Sequence, residues 1–448
     1  MSKKIAVVII LESLLLITAA GVFFLSSAHG VDLFDMFRTP TVSQSPRPGM
    51  DDTPGFWGDP IPTDTPEGGE SEVPVRPQIT AQVELEGNLV TVREHILLTE
   101  ETTRFHGYLF AGNFSQWRIR AVAAPAAYLE GYQTDLLNVY VDFGAPTREV
   151  ELTYSFNLKY DDKIMSASSD MVRLTHFLMV PAVVIDGAEV EVYTSSFGDP
   201  FVYDVYDYTV SVNAEESYDV YARGCVDTKR EDGRIEAEFR GELMRDFPVV
   251  LARNLPVVTE RTASGILVTY IDSHDCAPFI NNALEFAESH IGPYPYEEYF
   301  VVKTPISTNN GMEFSSMIFI KDSVFSTLES LKDLAYHETF HQWFYCVIGV
   351  DQLNEPFLDE GLVTYLAAYL RNGATGSGGD TRFLGRSLRD YSNKTHYNQL
   401  AYSAAAGYFG DMHKTMGDEA FFALLRRVYT EKTFRILRYE ELLSYIPA

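Results

Sequence analysis

A change in hydrophobic period near residue 273 restricts the fold of this chain more than any other feature. Between Ile79 and about residue 250, apolar side chains alternate with polar ones, as in VELTYSFNLKY at residues 150–160. A period of two predicts β-strands that bury one face. From about Ser273 the apolar residues recur at helical spacing, and further helices are predicted over about 329–348, 359–371 and 396–430. We therefore expect a multi-domain α+β protein, with a β-rich region followed by a mostly helical one.

The first thirty residues predict a membrane segment. Lys3 and Lys4 precede an apolar run of 21 residues from Ile5 to Leu25, which is long enough to span a bilayer. The paired lysines favour an amino terminus that stays inside, so the rest of the chain would be exported. Ser26 and Ala28 also resemble a small-x-small cleavage site, which leaves a cleaved signal peptide open. We expect a single-pass protein of the cell membrane with its folded body outside, or alternatively a secreted protein.

A proline-rich stretch separates this segment from the periodic sequence. Residues 40–77 contain nine of the 21 prolines in the chain, mixed with glycine, serine, threonine and acidic residues. Such a composition cannot bury a core and is typical of an extended spacer. The expected organisation is an anchor or signal peptide at 1–28, a disordered linker at 29–78, a β-rich domain at 79–255 and a catalytic domain at 256–448.

The charge of the chain argues against one class of partner. It has 63 acidic and 35 basic side chains, and its net charge is -28. A surface of this sign repels the phosphate backbone, so we expect no nucleic-acid binding.

Residues 337–345, HETFHQWFY, carry a possible metal site. On a helix His337 and His341 are one turn apart and project from the same face, so both imidazoles can bind one ion. Glu338 lies beside that face, where a carboxylate can act as general base without binding the ion. A pair of solvated surface histidines is the alternative, but the apolar neighbours Phe340, Trp343 and Phe344 indicate a buried helix.

A third metal ligand is predicted in the next helix. Catalytic zinc is usually held by three protein ligands and keeps an open position for water. The segment LDEGLVTY begins at residue 358 and places Glu360 in the first turn of a predicted helix with an apolar face. Acidic residues are also common at helix amino termini for electrostatic reasons. The prediction that Glu360 is a metal ligand therefore depends on its occurrence together with the two histidines.

Taken together, these motifs resemble a known enzyme family. HETFHQWF begins with HExxH at residues 337–341, and eighteen residues separate His341 from Glu360 in LDEGLVTY. This arrangement is similar to the HExxH-x18-E signature of the aminopeptidase N-like family of gluzincin zinc metallopeptidases. GMEFSSMIFI at 311–320 is similar to the GAMEN segment of that family, and QLAYSAAAG at 399–407 is similar to its tyrosine block. The resemblance covers most of residues 79–430.

The resemblance implies a fold and a set of site residues. The expected fold is a saddle- or sandwich-like β-rich amino-terminal domain followed by a thermolysin-like catalytic domain. One zinc ion per chain would be held by His337, His341 and Glu360, and Glu338 and Tyr402 would be catalytic. Glu313 would bind the free α-amine of the substrate, together with contacts from Gly311 and Met312.

The expected function is zinc-dependent hydrolysis of peptide substrates, with removal of amino-terminal residues as the preferred activity. Two alternatives stay open. The chain ends 88 residues after Glu360, too soon for the helical lid domain of many family members, so a less restricted endopeptidase or oligopeptidase is one alternative. A catalytically silent extracellular binding module is the other. The oligomeric state is not predicted.

Overall fold

A computed structural model describes residues 76–446, apart from 111–117, 124–128, 135–136, 194, 196, 308 and 374–379. The expected anchor or signal peptide at 1–28 and nearly all of the expected linker at 29–78 lie outside the described residues. None of the helices that the structure describes is long and apolar enough to span a bilayer.

The first part of the described chain consists of strands. They are β1 (Gln78–Glu86), β2 (Leu89–Tyr108), β3 (Arg118–Ala123), β4 (Leu129–Thr134), β5 (Asn138–Asn157), β6 (Ser166–Ala167), β7 (Met171–Leu174), β8 (Val180–Pro181), β9 (Val184–Ile185), β10 (Ala188–Glu189), β11 (Tyr206–Glu215), β12 (Asp219–Tyr221), β13 (Cys225–Glu231), β14 (Arg234–Met244) and β15 (Val249–Ala252).

One large sheet organises this region. Its strands lie in the order β13, β14, β11, β1, β2, β5 and β3, while β4 pairs with β5 and β8 pairs with β2. Strand β1 is parallel to β11 and antiparallel to β2. Along β1 and β11 every second side chain is buried, as the alternating sequence predicts. The sheet therefore has one face against the core.

A five-stranded sheet lies in the part of the chain that follows. Its strands are β16 (Val257–Arg261), β17 (Leu267–Ile271), β18 (Glu298–Thr304), β19 (Gly311–Phe314) and β20 (Met317–Lys321), and a short pair, β21 (Gly349–Val350) and β22 (Ile436–Leu437), lies outside it. The order across the sheet is β16, β17, β18, β20 and β19, which leaves β19 at an edge. An edge strand offers unpaired backbone groups to another extended chain.

One helix lies between β17 and β18, and the other described helices follow the sheet. They are α1 (Ala277–His290), α2 (Leu328–Phe340), α3 (Phe357–Asn372), α4 (Lys394–Tyr397), α5 (Ala405–Met416), α6 (Asp418–Lys432) and α7 (Tyr439–Tyr445). A π-helical segment, Asn398–Ala404, joins α4 to α5, and 3₁₀ turns lie at Asp322–Ser326 and Leu388–Asp390. The described residues belong to one compact unit that starts at Val73, and the expected boundary at 255/256 falls between β15 and β16.

Two helices end earlier than their hydrophobic pattern predicts. Helix α2 stops at Phe340 rather than near residue 348. The N–H of Cys346 donates to the carbonyl of His341, five residues earlier, and Tyr345 has a φ of 137°, so the backbone is not helical there. Residues 341–348 are all buried, and such an apolar run does not reveal its own conformation. The expected helix over 396–430 is interrupted at Gly417, whose φ of 79° favours glycine.

Candidate active site

Helix α2 brings the two histidines together at its end. The Nε2 atoms of His337 and His341 are 3.2 Å apart. The other ring nitrogen of His341 lies 3.0 Å from the carbonyl oxygen of Phe344, and that of His337 lies 3.4 Å from Oγ1 of Thr364. A carbonyl at Nδ1 requires an N–H there, so the Nε2 atom of His341 keeps its lone pair for a metal.

Helix α3 places Glu360 against this pair. Its Oε2 atom is 3.3 Å from Nε2 of His337 and 3.5 Å from Nε2 of His341. Ligands about 2.0 to 2.1 Å from a tetrahedral ion are themselves about 3.3 to 3.4 Å apart, so the triangle has the size that zinc requires. The same Oε2 atom is buried and has no hydrogen bond among the described residues. These three residues therefore fit a zinc ion with a fourth position open.

The charges of the three side chains support this assignment. Burial favours a neutral Glu360, but the nearby imidazoles of His337 and His341 lower its pKa to about 2, so the carboxylate is charged. Burial lowers the pKa of His337. Burial also opposes a charged His341, but the carboxylates of Glu313 and Glu360 raise its pKa well above the usual value. The carboxylates of this cluster therefore stabilise a positive charge at the point where the three ligand atoms meet.

Glu338 is held next to this centre by the same helix. Its side chain is buried, its Oε2 atom has no partner among the described residues, and burial raises its pKa well above the usual value. Gly311 in β19 makes room for it, because a Cβ at that position would lie 2.2 Å from Oε1 of Glu338. The glycine therefore allows the edge strand to approach the expected general base.

Strand β19 carries the expected substrate contacts. Glu313 is buried, and burial raises its pKa to about 8. Gly311 and Glu313 lie on one face of the strand, since side chains alternate, and both line the cleft at the metal ligands. The side chain of Met312 points the other way into the core, so a substrate could contact Met312 through its backbone.

Tyr402 lies in the π-helical segment before α5. Its hydroxyl donates to Oε1 of Glu360, and its ring is nearly parallel to that of His337 with 5.9 Å between the centroids. Helices of this kind are often found at functional sites. The phenol is therefore at the metal ligands in this structure, and an oxyanion role requires it to turn from Glu360 to the substrate.

The site opens into a cleft of about 600 Å³. It contains residues that the motifs do not reveal. Asp199 reaches it from the segment between β10 and β11, and its pKa is raised to about 7 by burial and by the charges of Glu360 and Asp359. Gln352 and Asp359 lie behind the cleft and hydrogen-bond each other over 2.9 Å. A spacing pattern in the sequence could not indicate these contacts, because their partners lie in other elements.

Comparisons with known proteins agree with this geometry. Residues 279–386 match the model of the Peptidase family M1 domain. A crystal structure of an M1 zinc metallopeptidase from Deinococcus radiodurans is similar to this chain with a TM-score of 0.60 and 16% identity, covering 83% of this chain and 89% of that one. Legionella pneumophila aminopeptidase A in complex with aspartic acid has a TM-score of 0.65 and 14% identity, covering 82% of this chain and 47% of that one.

A third similar structure is a mutant of the Deinococcus radiodurans enzyme bound to a Tyr-Ser-Ala substrate, with a TM-score of 0.61 and 16% identity over 82% of this chain and 89% of that one. No curated protein sequence matches significantly. At these identities the structural likeness shows the fold. It confirms the expected α+β class, with a β-rich amino-terminal part and a mostly helical carboxy-terminal part.

Proposed function

We propose, for a chain that carries a zinc metallopeptidase domain of peptidase family M1, that its activity is the removal of amino-terminal residues from peptides. The family, the enzymatic class and the zinc cofactor expected from the motifs are confirmed by the match and by the fold. The observation that carries the proposal is the meeting of three metal-ligand atoms within 3.2 to 3.5 Å beside a buried glutamate and an acidic edge strand. The choice of an aminopeptidase rests on Glu313.

His337, His341 and Glu360 would hold one zinc ion per chain. Bound zinc would lower the pKa of a water molecule towards neutrality and polarise the scissile carbonyl. Thr364 and the carbonyl of Phe344 orient the two imidazoles, and Tyr402 orients Glu360. Such partners of the ligands tune both affinity and geometry.

Glu338 would act as general base and then as general acid. Its carboxylate takes a proton from the attacking water and gives that proton to the nitrogen of the leaving amine. Burial raises its pKa, so its carboxylate is a stronger base than that of an exposed glutamate. Gly311 keeps its carboxylate beside the edge strand, where the scissile bond would lie.

Strand β19 would hold the substrate. A peptide that pairs with this edge places its backbone along Gly311 and Met312 and its amino terminus at Glu313. A buried carboxylate discriminates a free ammonium from a blocked amide, because the blocked substrate leaves the carboxylate without its ion pair. Tyr402 would donate to the oxyanion as it forms.

The ligands bound to two similar proteins support this substrate class. Legionella pneumophila aminopeptidase A is complexed with an amino acid, and the Deinococcus radiodurans mutant is bound to a tripeptide. The cleft of this chain is lined by Glu313 at the expected amine position.

The proposed location is the outer side of a cell membrane, with a single span formed by Ile5–Leu25. The lysines before the run support this orientation, and secretion after cleavage near Ala28 is the alternative. Fractionation of cells that express the full chain, followed by protease treatment of intact cells, tests the proposal. An activity that stays in the cytosol would contradict it.

The activity is tested by offering one peptide with a free and with an acetylated amino terminus. We expect the free peptide to lose residues from that end, the acetylated peptide to be cleaved at least about 100-fold more slowly, and a zinc chelator to stop the reaction. Equal cleavage of both peptides would favour an endopeptidase and remove Glu313 as the amine anchor. No cleavage of either peptide by the zinc-loaded protein would favour a silent binding module.

A further inference from the structure

Gln352 lies in the turn before α3 and connects two acidic side chains of the active site. Its Nε2 atom is 3.3 Å from Oε1 of Glu313 and 2.9 Å from Oδ2 of Asp359. All three side chains are buried. One amide group therefore joins the edge strand that would bind the substrate to the helix that supplies a metal ligand.

The backbone around Gln352 is held in place on both sides. The side chain of Asp351 accepts from the backbone and side-chain nitrogens of Asn354 at 3.0 and 2.8 Å, and its carbonyl accepts from the N–H of Glu355 at 2.7 Å. The carbonyl of Leu353 accepts from the N–H of Leu388 at 2.8 Å. The three bonds that the backbone N–H groups of Asn354, Glu355 and Leu388 donate fix the direction in which the amide of Gln352 leaves the turn, and Asn354→Ala would keep all three.

The second oxygen of Asp359 completes the connection. Its Oδ1 atom accepts from the backbone N–H of Glu360 at 2.8 Å. Asp359 is thus held from both sides, and its Oδ2 atom forms a firm acceptor for one hydrogen of the Gln352 amide. The other hydrogen of that amide points to Glu313.

This arrangement carries a cost. The Oε1 atom of Gln352 is buried and has no hydrogen-bond partner among the described residues. A buried acceptor without a partner costs about 1 to 3 kcal/mol. The amide bears this cost while both of its N–H groups are directed to carboxyl oxygens of Glu313 and Asp359. The side chain of Gln352 is therefore placed so that its Nε2 atom reaches Glu313 and Asp359, while its own Oε1 atom stays without a hydrogen bond.

Among the described residues, Gln352 is also the side chain that hydrogen-bonds Glu313. The bond engages Oε1 and leaves Oε2 for a ligand in the cleft. A glutamate has three side-chain torsions, so a carboxylate without such a bond would sample several directions. A fixed carboxylate binds an ammonium with less loss of entropy.

We propose that Gln352 is a positioning residue for the amino terminus of the substrate, acting through Glu313. The inference rests on the proposed role of Glu313 as the amine anchor. Among the described residues the side chain of Gln352 has no hydrogen bond to Glu338, His337, His341 or Glu360, so we expect its loss to affect binding of the free amine more than the chemical step. An apolar residue at this position would leave two buried carboxyl groups facing each other, and an acidic residue would add a third.

The test replaces Gln352 by leucine, which has a similar size and no hydrogen-bond donor. Amino-acid 4-nitroanilides and dipeptides, with free and with acetylated amino termini, serve as substrates for the zinc-loaded full chain. We expect Gln352→Leu to raise KM for free-amine substrates about 10-fold, as for a lost hydrogen bond to a charged group, and to change kcat less than about 3-fold. The preference for the free over the acetylated terminus falls by a similar factor.

Asn354→Ala is the matched control. It removes the side-chain hydrogen bond to Asp351 in the same turn without touching Glu313 or Asp359, and we expect kinetics like those of the unchanged protein. Zinc content and thermal unfolding are measured for each variant, so that a kinetic change can be separated from loss of the metal or the fold. Gln352→Met, which is unbranched like glutamine, replaces the leucine variant if the latter does not fold.

Three outcomes would overturn the inference. One is a folded, zinc-loaded Gln352 variant with unchanged KM and unchanged preference for the free terminus. Another is a loss of kcat alone. The third is that neither variant folds or keeps zinc, which would make Gln352 a residue of the fold rather than of substrate binding. If the unchanged protein itself cleaves free and acetylated substrates equally, the proposed function fails first, before Gln352 is tested.

Discussion

Glu94 in the β-rich region and Glu360 in the catalytic region are both buried glutamates, but their neighbours give them opposite charge states. Burial raises the pKa of Glu94 to about 8, and its carboxyl group accepts hydrogen bonds from the hydroxyl of Tyr154 and the N–H of Met179. Burial acts on Glu360 in the same direction, but two imidazoles lower its pKa to about 2. The difference shows that burial alone yields a neutral structural acid, whereas nearby histidines maintain a charged ligand.

The hydrogen bonding of Glu94 fits its neutral state. Tyr154 has one hydroxyl hydrogen and two acceptors within reach, Oε2 of Glu94 at 2.7 Å and the carbonyl of Phe177 at 2.9 Å. A protonated Glu94 can donate to the phenol oxygen, which frees the phenol hydrogen for Phe177. Oε1 of Glu94, like Oε2 of Glu338 and of Glu360, is buried without a hydrogen bond among the described residues, so the two regions differ in the groups that face the carboxylate and not in an unused oxygen.

The largest effect is expected when a buried glutamate of the catalytic region is replaced by glutamine. Glu338→Gln removes the proton acceptor but keeps the size of the side chain, so hydrolysis should fall at least about 10³-fold while zinc stays bound. Glu94→Gln is the matched control, since it changes a buried glutamate far from the metal ligands in sequence and element. Peptidase rates and zinc content of both variants check the prediction, and undiminished turnover by Glu338→Gln would end its assignment as the base.

Glu94→Gln should instead change the pH dependence of stability. The folded pKa of about 8 lies above the ordinary value of 4.5, so the folded protein holds a proton that the unfolded chain releases. The unchanged protein therefore loses stability as the pH rises from about 4.5 to 8, and the glutamine variant avoids this loss. One pKa unit corresponds to about 1.4 kcal/mol, so the variant should gain a few kcal/mol over the unchanged protein at pH 9.

Denaturant unfolding at pH 5 and pH 9 measures this gain. Glu86→Gln, at an exposed position of the same sheet, is the control and should show little change between the two pH values. A constant difference between Glu94→Gln and the unchanged protein at both pH values would show that Glu94 is charged in the fold.

A smaller effect is expected from crowding the base. Gly311→Ala would place a Cβ 2.2 Å from Oε1 of Glu338, so the carboxylate must move and the rate should fall about 10- to 100-fold. Gly241→Ala produces the same overlap of 2.2 Å with the sulfur of Met244 in the β-rich region. That variant should lose stability and keep its rate, and equal rate losses in both variants would mean that the effect is not specific to the base.

The metal ligands could be predicted from the sequence because their geometry is local. A helical turn brings His337 to His341, and the first turn of the next helix supplies Glu360, so short-range spacing contains most of the information. The alternation of the β-rich region likewise predicts its strands, because one side chain in two is buried along β1 and β11.

Other features depend on contacts between distant parts of the chain. Gln352 meets Glu313 across 39 residues, and Asp199 enters the cleft from the β-rich region. The early end of α2 depends on the packing of residues 341–348, which are all buried and therefore show no period. No spacing within one element encodes these contacts.

The central claim is that His337, His341 and Glu360 together hold one zinc ion. It is tested most directly by the zinc content of the purified full chain, measured by mass spectrometry beside His341→Ala and Glu338→Gln. The account predicts one zinc per chain in the unchanged protein and in Glu338→Gln, and little zinc in His341→Ala. Full zinc in His341→Ala, or hydrolysis by an unchanged protein that holds no metal, would contradict it.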